Sequence, residues 1–229
     1  MLSEAISNNT AITNTTNTVY VDYGDVHRKI DVANRVTIAL NGTNYAFDVI
    51  GFNHDALTDA SAYGKATKSG KAGITLQVHD CFVTTYAMNS SNTNVGGWKS
   101  SAMRTSTMAT MKGYLPTAWQ TAIKPVNKAS GTGGGSSSGT ETVSDSCFLL
   151  AEIEIFGATT RSVSGEGTQY AYYGAGSSKV VKNRSGSAAA WWERSPFSGN
   201  SNYFCRAASG YPDYVNASVS TGVAFAFCI

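Results

Sequence analysis

Two kinds of residue pair have the chemistry that catalysis would require. Glu152 and Glu154 are two positions apart, so on a strand both carboxylates would point to one face, as a general acid and its partner base do. A solvated or arginine-paired face explains the same spacing. The dipeptides His54-Asp55 and His79-Asp80 join imidazole to carboxylate only along the chain, and no G-x-S-x-G turn supplies a nucleophile. The sequence therefore predicts no catalytic residues.

Cys81, Cys147, Cys205 and Cys228 could be free thiols, a disulfide or metal ligands. Each has a phenylalanine neighbour, which favours small buried thiols, while the even number keeps one disulfide open. The close C-x-x-C pairs and the H-E-x-x-H motif that zinc sites use are absent, and so is a calcium loop. The glycine-rich residues 131–139 lack the Gly-Lys-Ser/Thr of a phosphate-binding loop. We therefore predict no metal and no cofactor.

The remaining candidate chemistry is recognition by residues 197–221. These residues combine tyrosine with serine, glycine and asparagine, as antibody contact loops do, although an ordinary turn-rich loop has a similar composition. They show no helical or strand period, so we expect an irregular loop. We predict that the ligand-contacting side chains are mostly exposed and share one face. They are Phe197, Asn202, Tyr203, Arg206, Ala208, Tyr211, Pro212, Asp213, Tyr214 and Val215.

Two segments flank this loop and would hold its ends, a bulky one with a tryptophan pair and an apolar one. WWERSP precedes it at residues 191–196, and GVAFAFCI follows it at residues 222–229. The second segment is apolar on both faces and rich in strand-forming residues, which predicts a strand buried on both sides. Arg194 is predicted to be structural, because an arginine beside two tryptophans can stack on a ring and bind backbone carbonyls.

The upstream chain predicts both strands and helices. Residues 19–23 and 73–78 indicate strands, and Asn41-Gly42 between two alternating runs predicts a hairpin of residues 35–50. Gly113 and Pro125 would end two helices, the second of which follows Pro116. The stripe predicted to be buried in the first helix comprises Trp98, Ala102, Thr105, Met108, Ala109 and Met111.

Less regular segments separate these elements. Residues 51–71 are polar and turn-rich, and residues 131–139 indicate a flexible surface loop. Residues 147–156 could be a strand or a short helix, and we favour a strand. Residues 157–190 indicate an irregular loop.

The bulk composition excludes several classes of partner. Charged residues make up 14% of the chain, the net charge is +2, and no basic run occurs, so neither nucleic acid nor an anionic membrane is an expected partner. No apolar run is long enough to insert into a membrane. The first residues lack the basic and apolar regions of a Sec signal peptide. A protein working outside the cell would then arrive by another route, for example on a virion.

Several motifs in order resemble the variable proteins of diversity-generating retroelements. The pieces are WW-x-RSP, NSNYFC at residues 200–205 and the terminal GVAFAFCI. Upstream, residues 47–52, 97–104, 114–116 and 147–152 resemble a domain common in Firmicutes and their phages. The resemblance covers roughly residues 35–229.

The resemblance implies an α+β, C-type lectin-like fold of the formylglycine-generating-enzyme type, with two helices, small antiparallel sheets and much irregular loop. Residues 1–18 would be a flexible polar lead-in. Residues 19–229 would form one domain whose hypervariable ligand-binding segment is residues 191–221. The implied function is host attachment or surface binding, by a phage tail tip or a bacterial cell surface. Its partner would be a cell-surface protein or glycan receptor, and a homo-oligomer is compatible with it.

Two alternatives stay open. A formylglycine-generating oxidoreductase would need a reactive cysteine pair, for which Cys205 and Cys228 are the nearby candidates. A purely structural virion protein would need no contact surface. The Glu-Pro-Asn tripeptide of sugar-binding C-type lectins does not occur, so the resemblance implies the fold without calcium-dependent sugar binding.

Overall fold

The structure is a computed structural model that describes residues 11–14, 18–23, 26–61, 70–135, 139–174 and 176–229. The described strands, in chain order, are β1 Ala11–Asn14, β2 Thr18–Tyr23, β3 Val26–Asp31, β4 Arg35–Leu40, β5 Thr43–Phe52, β6 Ile74–Val78, β7 Val126–Gly131, β8 Thr140–Asp145, β9 Cys147–Phe148, β10 Lys182–Arg184, β11 Ser187–Ala189, β12 Trp191–Pro196, β13 Tyr203–Ala208, β14 Tyr211–Asn216 and β15 Ala226–Cys228. The described helices are α1 Gly97–Ser100, α2 Met108–Tyr114, α3 Thr117–Ala122, α4 Glu152–Phe156 and α5 Ala171–Gly174, with a π-helical turn at Met103–Thr107 and a 3-10 turn at Ser177–Val180.

The core sheet has five antiparallel strands in the order β4-β5-β6-β15-β9. The predicted hairpin between β4 and β5 is confirmed. Asn41 and Gly42 connect the strands with φ of 47° and 83°, the left-handed conformations that a type I′ turn requires. The strands predicted at residues 19–23 and 73–78 are confirmed as β2 and β6. The protein thus combines short helices with small antiparallel sheets and irregular loops, as an α+β fold does.

The C-terminal residues lie inside this sheet. β15 pairs with β6 on one side and with β9 on the other, and residues 221–229 are all buried. The Phe47 ring meets Phe225 and Phe227 at centroid distances of 5.7 and 5.6 Å. The prediction that this segment is buried on both sides is therefore confirmed, and β15 shares a sheet with the β4–β5 hairpin.

The helical region lies where it was predicted, but the side chains that face the core are not all those predicted. The backbone is extended at Ser101, with ψ of 143°, and a π-helical turn then leads into α2. This turn lengthens the spacing between inward-facing positions, so Met103 is buried although the predicted stripe omits it. The predicted stripe is wrong at three exposed residues, Ala102, Thr105 and Ala109. The described chain has more and shorter helices than the two predicted, with α3 confirming the second.

The prediction of a strand over residues 147–156 is wrong beyond β9. The chain enters α4 at Glu152, and the backbone N–H of Ala151 donates to Oε2 of Glu154 at 3.0 Å, which closes the first helical turn. Glu152 and Glu154 therefore lie on a helix and do not share the face of a strand. Residues 157–190 are also more regular than predicted, because they contain α5, the 3-10 turn and the β10–β11 hairpin.

Three predicted segments lie partly outside the described residues. In the lead-in, β1 pairs with β2, and residues 1–10 and 15–17 are outside the description. The same holds for residues 62–69 of the turn-rich segment 51–71 and for residues 136–138 of the loop at residues 131–139. Gly131 itself ends β7 and is buried. Within the described chain, no helix has both the length and the apolar composition needed to span a bilayer.

A second sheet, in the order β12-β13-β14, contains the predicted contact segment. Ser209 and Gly210 form the two-residue turn between β13 and β14, with φ of 49° and 84°. The expectation of an irregular loop over residues 197–221 is therefore wrong, because most of the segment is a β-hairpin. All six residues of β12 are buried, so the hairpin extends from a strand that belongs to the core.

Candidate functional site

The ten predicted contact residues lie on the β13–β14 hairpin and on the connection that precedes it. Phe197 and Asn202 belong to the connection, and the other eight lie in the two strands. Asn202 and Tyr211 are exposed, and the remaining eight are half-buried, so they are less exposed than predicted. None of the ten is buried. Val215 also packs against the hydrophobic core.

The hairpin register divides these residues between two faces. Arg206 lies opposite Asp213, and Ala208 lies opposite Tyr211. Successive side chains of a strand point to opposite faces, so Tyr203 and Tyr214 project away from these two pairs. The prediction of one common face is corrected to two surfaces on either side of the same hairpin.

One surface carries a cluster of three aromatic rings. Phe197 and Tyr214 are stacked with a centroid distance of 4.1 Å and an interplanar angle of 6°. Tyr203 lies 5.4 Å from Tyr214 and 6.1 Å from Phe197, measured between ring centroids. The guanidinium carbon of Arg161 lies 5.4 Å from the Tyr214 centroid. We call Phe197, Tyr203, Tyr214 and Arg161 the aromatic surface.

The opposite surface is polar and more open. Nε of Arg206 donates to Oδ2 of Asp213 at 2.8 Å, and both side chains keep part of their area in solvent. Tyr211, next to the turn, is 72% exposed and is the most exposed of the large hydrophobic side chains among the described residues. We call Arg206, Tyr211 and Asp213 the charged surface. Aromatic residues and arginine supply much of the binding energy in protein interfaces, so both surfaces suit recognition.

The connection between β12 and β13 is held by a buried residue that the sequence did not single out. Nδ2 of Asn94 lies within hydrogen-bond distance of the carbonyl oxygens of Phe197, Asn200 and Tyr203, at 3.1, 3.0 and 2.7 Å. Its Oδ1 accepts from the backbone N–H of Gly134 at 2.7 Å. Asn94 thus fixes the backbone that carries Phe197 and Tyr203 of the aromatic surface. Its polar neighbours in the sequence gave no signal of this role.

Arg194 joins β12 to three other segments. Its guanidinium donates to the carbonyl oxygens of Ala129 and Leu149, both at 3.0 Å, and of Glu166 at 2.6 Å. It also forms a two-pronged ion pair with Glu154, with Nη2 to Oε1 at 3.0 Å. The predicted carbonyl-binding role of Arg194 is confirmed. Of the interpretations given for Glu154, a catalytic carboxylate or a solvated or arginine-paired side chain, the structure shows the pair with arginine.

A buried lysine extends this network. Nζ of Lys128 lies 2.6 Å from Asp55 and 2.6 Å from Glu154, and all three side chains are buried. Burial alone would raise the pKa of each carboxyl. The Arg194 and Lys128 cations outweigh burial and hold the pKa of Glu154 below its usual value. Lys128 is the main cation that holds the pKa of Asp55 well below its own. The network is therefore charged and largely neutralised internally, which suits a structural role.

Glu152 fixes the loop that carries Arg161. Its carboxylate accepts the backbone N–H groups of Thr160, Arg161 and Ser162 at 2.7 to 3.0 Å. The carbonyl oxygen of Arg161 then accepts from the backbone N–H and the hydroxyl of Ser198, at 2.9 and 2.8 Å. The backbone of Arg161 is thereby tied to the connection that precedes the hairpin.

Glu193, between the buried Trp192 and Arg194, has no such partners. It is completely buried, and neither carboxylate oxygen has a hydrogen-bond partner among the described residues. Burial, and then the nearby Glu152 and Glu166, raise the pKa of Glu193 well above its usual value. The fold therefore favours the neutral form of this carboxyl.

Glu193→Gln is expected to change how stability depends on pH. The unfolded carboxyl ionises near pH 4.5 and the folded one much higher. The stabilising effect of a neutral Glu193 is thus fully present below about pH 4.5 and is lost as the pH rises toward the folded pKa. Over that range the free energy of unfolding of Glu193→Gln, taken relative to that of the parent, should rise by roughly 1 kcal/mol for each pH unit.

Urea denaturation of both proteins at about pH 5 and about pH 7 measures this gain. Glu141→Gln is the control, because Glu141 is partly exposed and paired with Lys99. A stability difference between Glu193→Gln and the parent that is equal at both pH values would show that Glu193 is ionised in the fold.

Among the described residues, no group of three or more His, Cys, Asp and Glu side chains is arranged to hold a metal ion. All four cysteines are free and buried.

A comparison with family models identifies one family. A family model described as Domain of unknown function (DUF6273) matches residues 73–229, more than half of the chain and including both surfaces of the hairpin. No curated protein and no solved structure matches.

Proposed function

We propose that this chain, which belongs to the DUF6273 family, is a receptor-binding protein that presents a diversified surface on the β13–β14 hairpin. The observation that carries the proposal is the difference in burial along residues 191–229. β12 and residues 221–229 are buried, whereas none of the ten contact residues between them is. Side chains on the hairpin can then change while the two ends keep their places in the core.

The chemistry of the hairpin supports recognition of a macromolecule. Tyrosines supply large amphipathic contact areas with few rotatable bonds, and Arg206 and Asp213 supply charge on the opposite surface. Asn94 fixes the connection that precedes the hairpin, and Arg194 fixes β12, so less conformational entropy is lost when a partner binds. The partner class we propose is a protein or glycan on a cell surface, reached from a phage tail tip or from a bacterial surface.

The buried thiols favour recognition over the oxidoreductase alternative. Burial raises the pKa of both thiols well above its usual value, and for Cys228 the nearby Asp55 acts in the same direction. A reactive cysteine needs the opposite shift, because the thiolate is the nucleophile. The α+β arrangement with small antiparallel sheets supports the C-type lectin-like fold that the resemblance implies.

The DNA next to the gene tests the proposed diversification. We expect a near-copy of the segment that encodes residues 191–229, beside a reverse-transcriptase gene, and differing from it mainly at adenines. The differing codons should fall at hairpin positions such as Tyr211 and Asp213. They should spare the codons of β12 and of residues 222–229, because substitutions there would enter the core. Sequencing that finds no copy, or differences spread evenly through the buried strands, would remove this part of the proposal.

A further inference from the structure

Arg161 is a cation on the aromatic surface, and its side chain has no hydrogen-bond acceptor among the described residues. Its Nε atom is buried without a hydrogen-bond partner, and its guanidinium makes no hydrogen bond or ion pair with the described residues. The other arginine of the hairpin region, Arg206, is paired with Asp213 at 2.8 Å. A buried N–H donor left unsatisfied costs free energy, and most buried donors in folded proteins have a partner.

The backbone around Arg161 is fixed before any ligand arrives. Glu152 holds its N–H at 2.9 Å, and Ser198 donates two hydrogen bonds to its carbonyl oxygen. The guanidinium lies over Tyr214, which is itself stacked on Phe197. Such a preorganised cation beside aromatic rings binds a planar anion with little loss of conformational entropy.

We propose that Arg161 is the specificity-determining residue of a carboxylate subsite on the aromatic surface. The ligand group is a carboxylate attached to an apolar or aromatic body: the two oxygens accept N–H donors of the guanidinium, and the body packs against Phe197, Tyr203 and Tyr214. The subsite rests on the proposed recognition function and deepens it. Arg161 lies outside residues 191–221, so it is a constant contact beside variable ones.

Benzoate and benzamide are the matched probes, because they share a ring and differ in charge. Their affinities are measured by NMR titration, following the Nε–Hε signal of Arg161 and the ring signals of Tyr203 and Tyr214. We expect benzoate to shift these signals saturably and to bind at least about tenfold more tightly than benzamide, since a hydrogen bond to a charged group accounts for such a factor.

Two variants decide the assignment. Arg161→Met should remove the preference for benzoate, and Arg35→Met, which removes an arginine paired with Asp48 away from both surfaces, should leave it intact. Equal binding of the two probes by the parent, or an unchanged preference in Arg161→Met, would overturn the subsite and assign Arg161 to packing on Tyr214 alone. The subsite and the recognition function fail separately: benzoate can bind at Arg161 even if changes on the charged surface leave cell binding unaltered.

Discussion

Arg194→Met is expected to lower the free energy of unfolding by about 3–5 kcal/mol, because breaking this buried ion pair leaves the buried Glu154 with one cation in place of two. Methionine keeps an apolar stem of similar length but donates no hydrogen bond. The carbonyl oxygens of Ala129, Leu149 and Glu166 would lose a donor, and Glu154 would keep only Lys128 as its cation. The variant tests whether this network, and not the tryptophan pair alone, holds β12 in the core.

The loss should also depend on pH. Arg194 helps to hold the pKa of Glu154 below its usual 4.5, so this contribution to stability is present above about pH 4.5 and is lost as the pH falls. Urea denaturation at about pH 7 and about pH 4 should therefore show a smaller difference between parent and variant at the lower pH.

Arg206→Met is the matched control for Arg194→Met. It also removes an arginine from an ion pair, but its partner Asp213 remains accessible to water. Its effect on the free energy of unfolding should stay below about 1 kcal/mol. Equal losses in the two variants would show that burial does not distinguish the two pairs and would contradict the structural role of Arg194.

The sequence predicted the fold best where one local signal was sufficient. Asn41-Gly42 required a tight turn, and the alternating runs beside it allowed only one register. The helix phase could not be predicted because a π-helical turn, which has no reliable sequence signal, moves Met103 into the core and Ala102 out of it. Residues 147–156 were assigned to the wrong element because a short apolar run fits a strand and a helix equally well.

The predicted contact residues were chosen from composition and from the resemblance, neither of which indicated the geometry of the segment. Ser209-Gly210 marks a turn less strongly than Asn-Gly, and Phe204 and Cys205 are adjacent and both buried, which hides the alternation of β13. Without the strands, the division into two surfaces could not be seen. Asn94 and Arg161 were missed because their roles depend on contacts far along the chain, which neither spacing nor composition reports.

Replacing Arg206, Tyr211 and Asp213 together by serine is expected to weaken binding by at least about tenfold while the protein stays folded. These residues form the charged surface, and removing both members of the ion pair leaves no unpaired charge. Tyr214 is kept because it stacks on Phe197. Surface substitutions of this kind usually change stability by about 0.5 kcal/mol or less.

A matched control removes the same kinds of group elsewhere. Val83 is 60% exposed, and Lys99 and Glu141 form an ion pair at 2.9 Å, so serine at these three positions removes one exposed apolar side chain and one surface pair. The control should keep both the melting temperature and the binding of the parent.

We call the protein with serine at positions 206, 211 and 213 the hairpin variant. The most direct test measures how the fluorescently labelled parent, hairpin variant and control bind to a panel of bacterial strains. Melting temperatures are measured on the same preparations. The account predicts that the hairpin variant melts within a few degrees of the parent and loses at least about tenfold in binding to the strains that the parent recognises. A hairpin variant that unfolds would show that these side chains support the fold. One that folds and binds as the parent does would contradict the claim that the β13–β14 hairpin is the recognition surface.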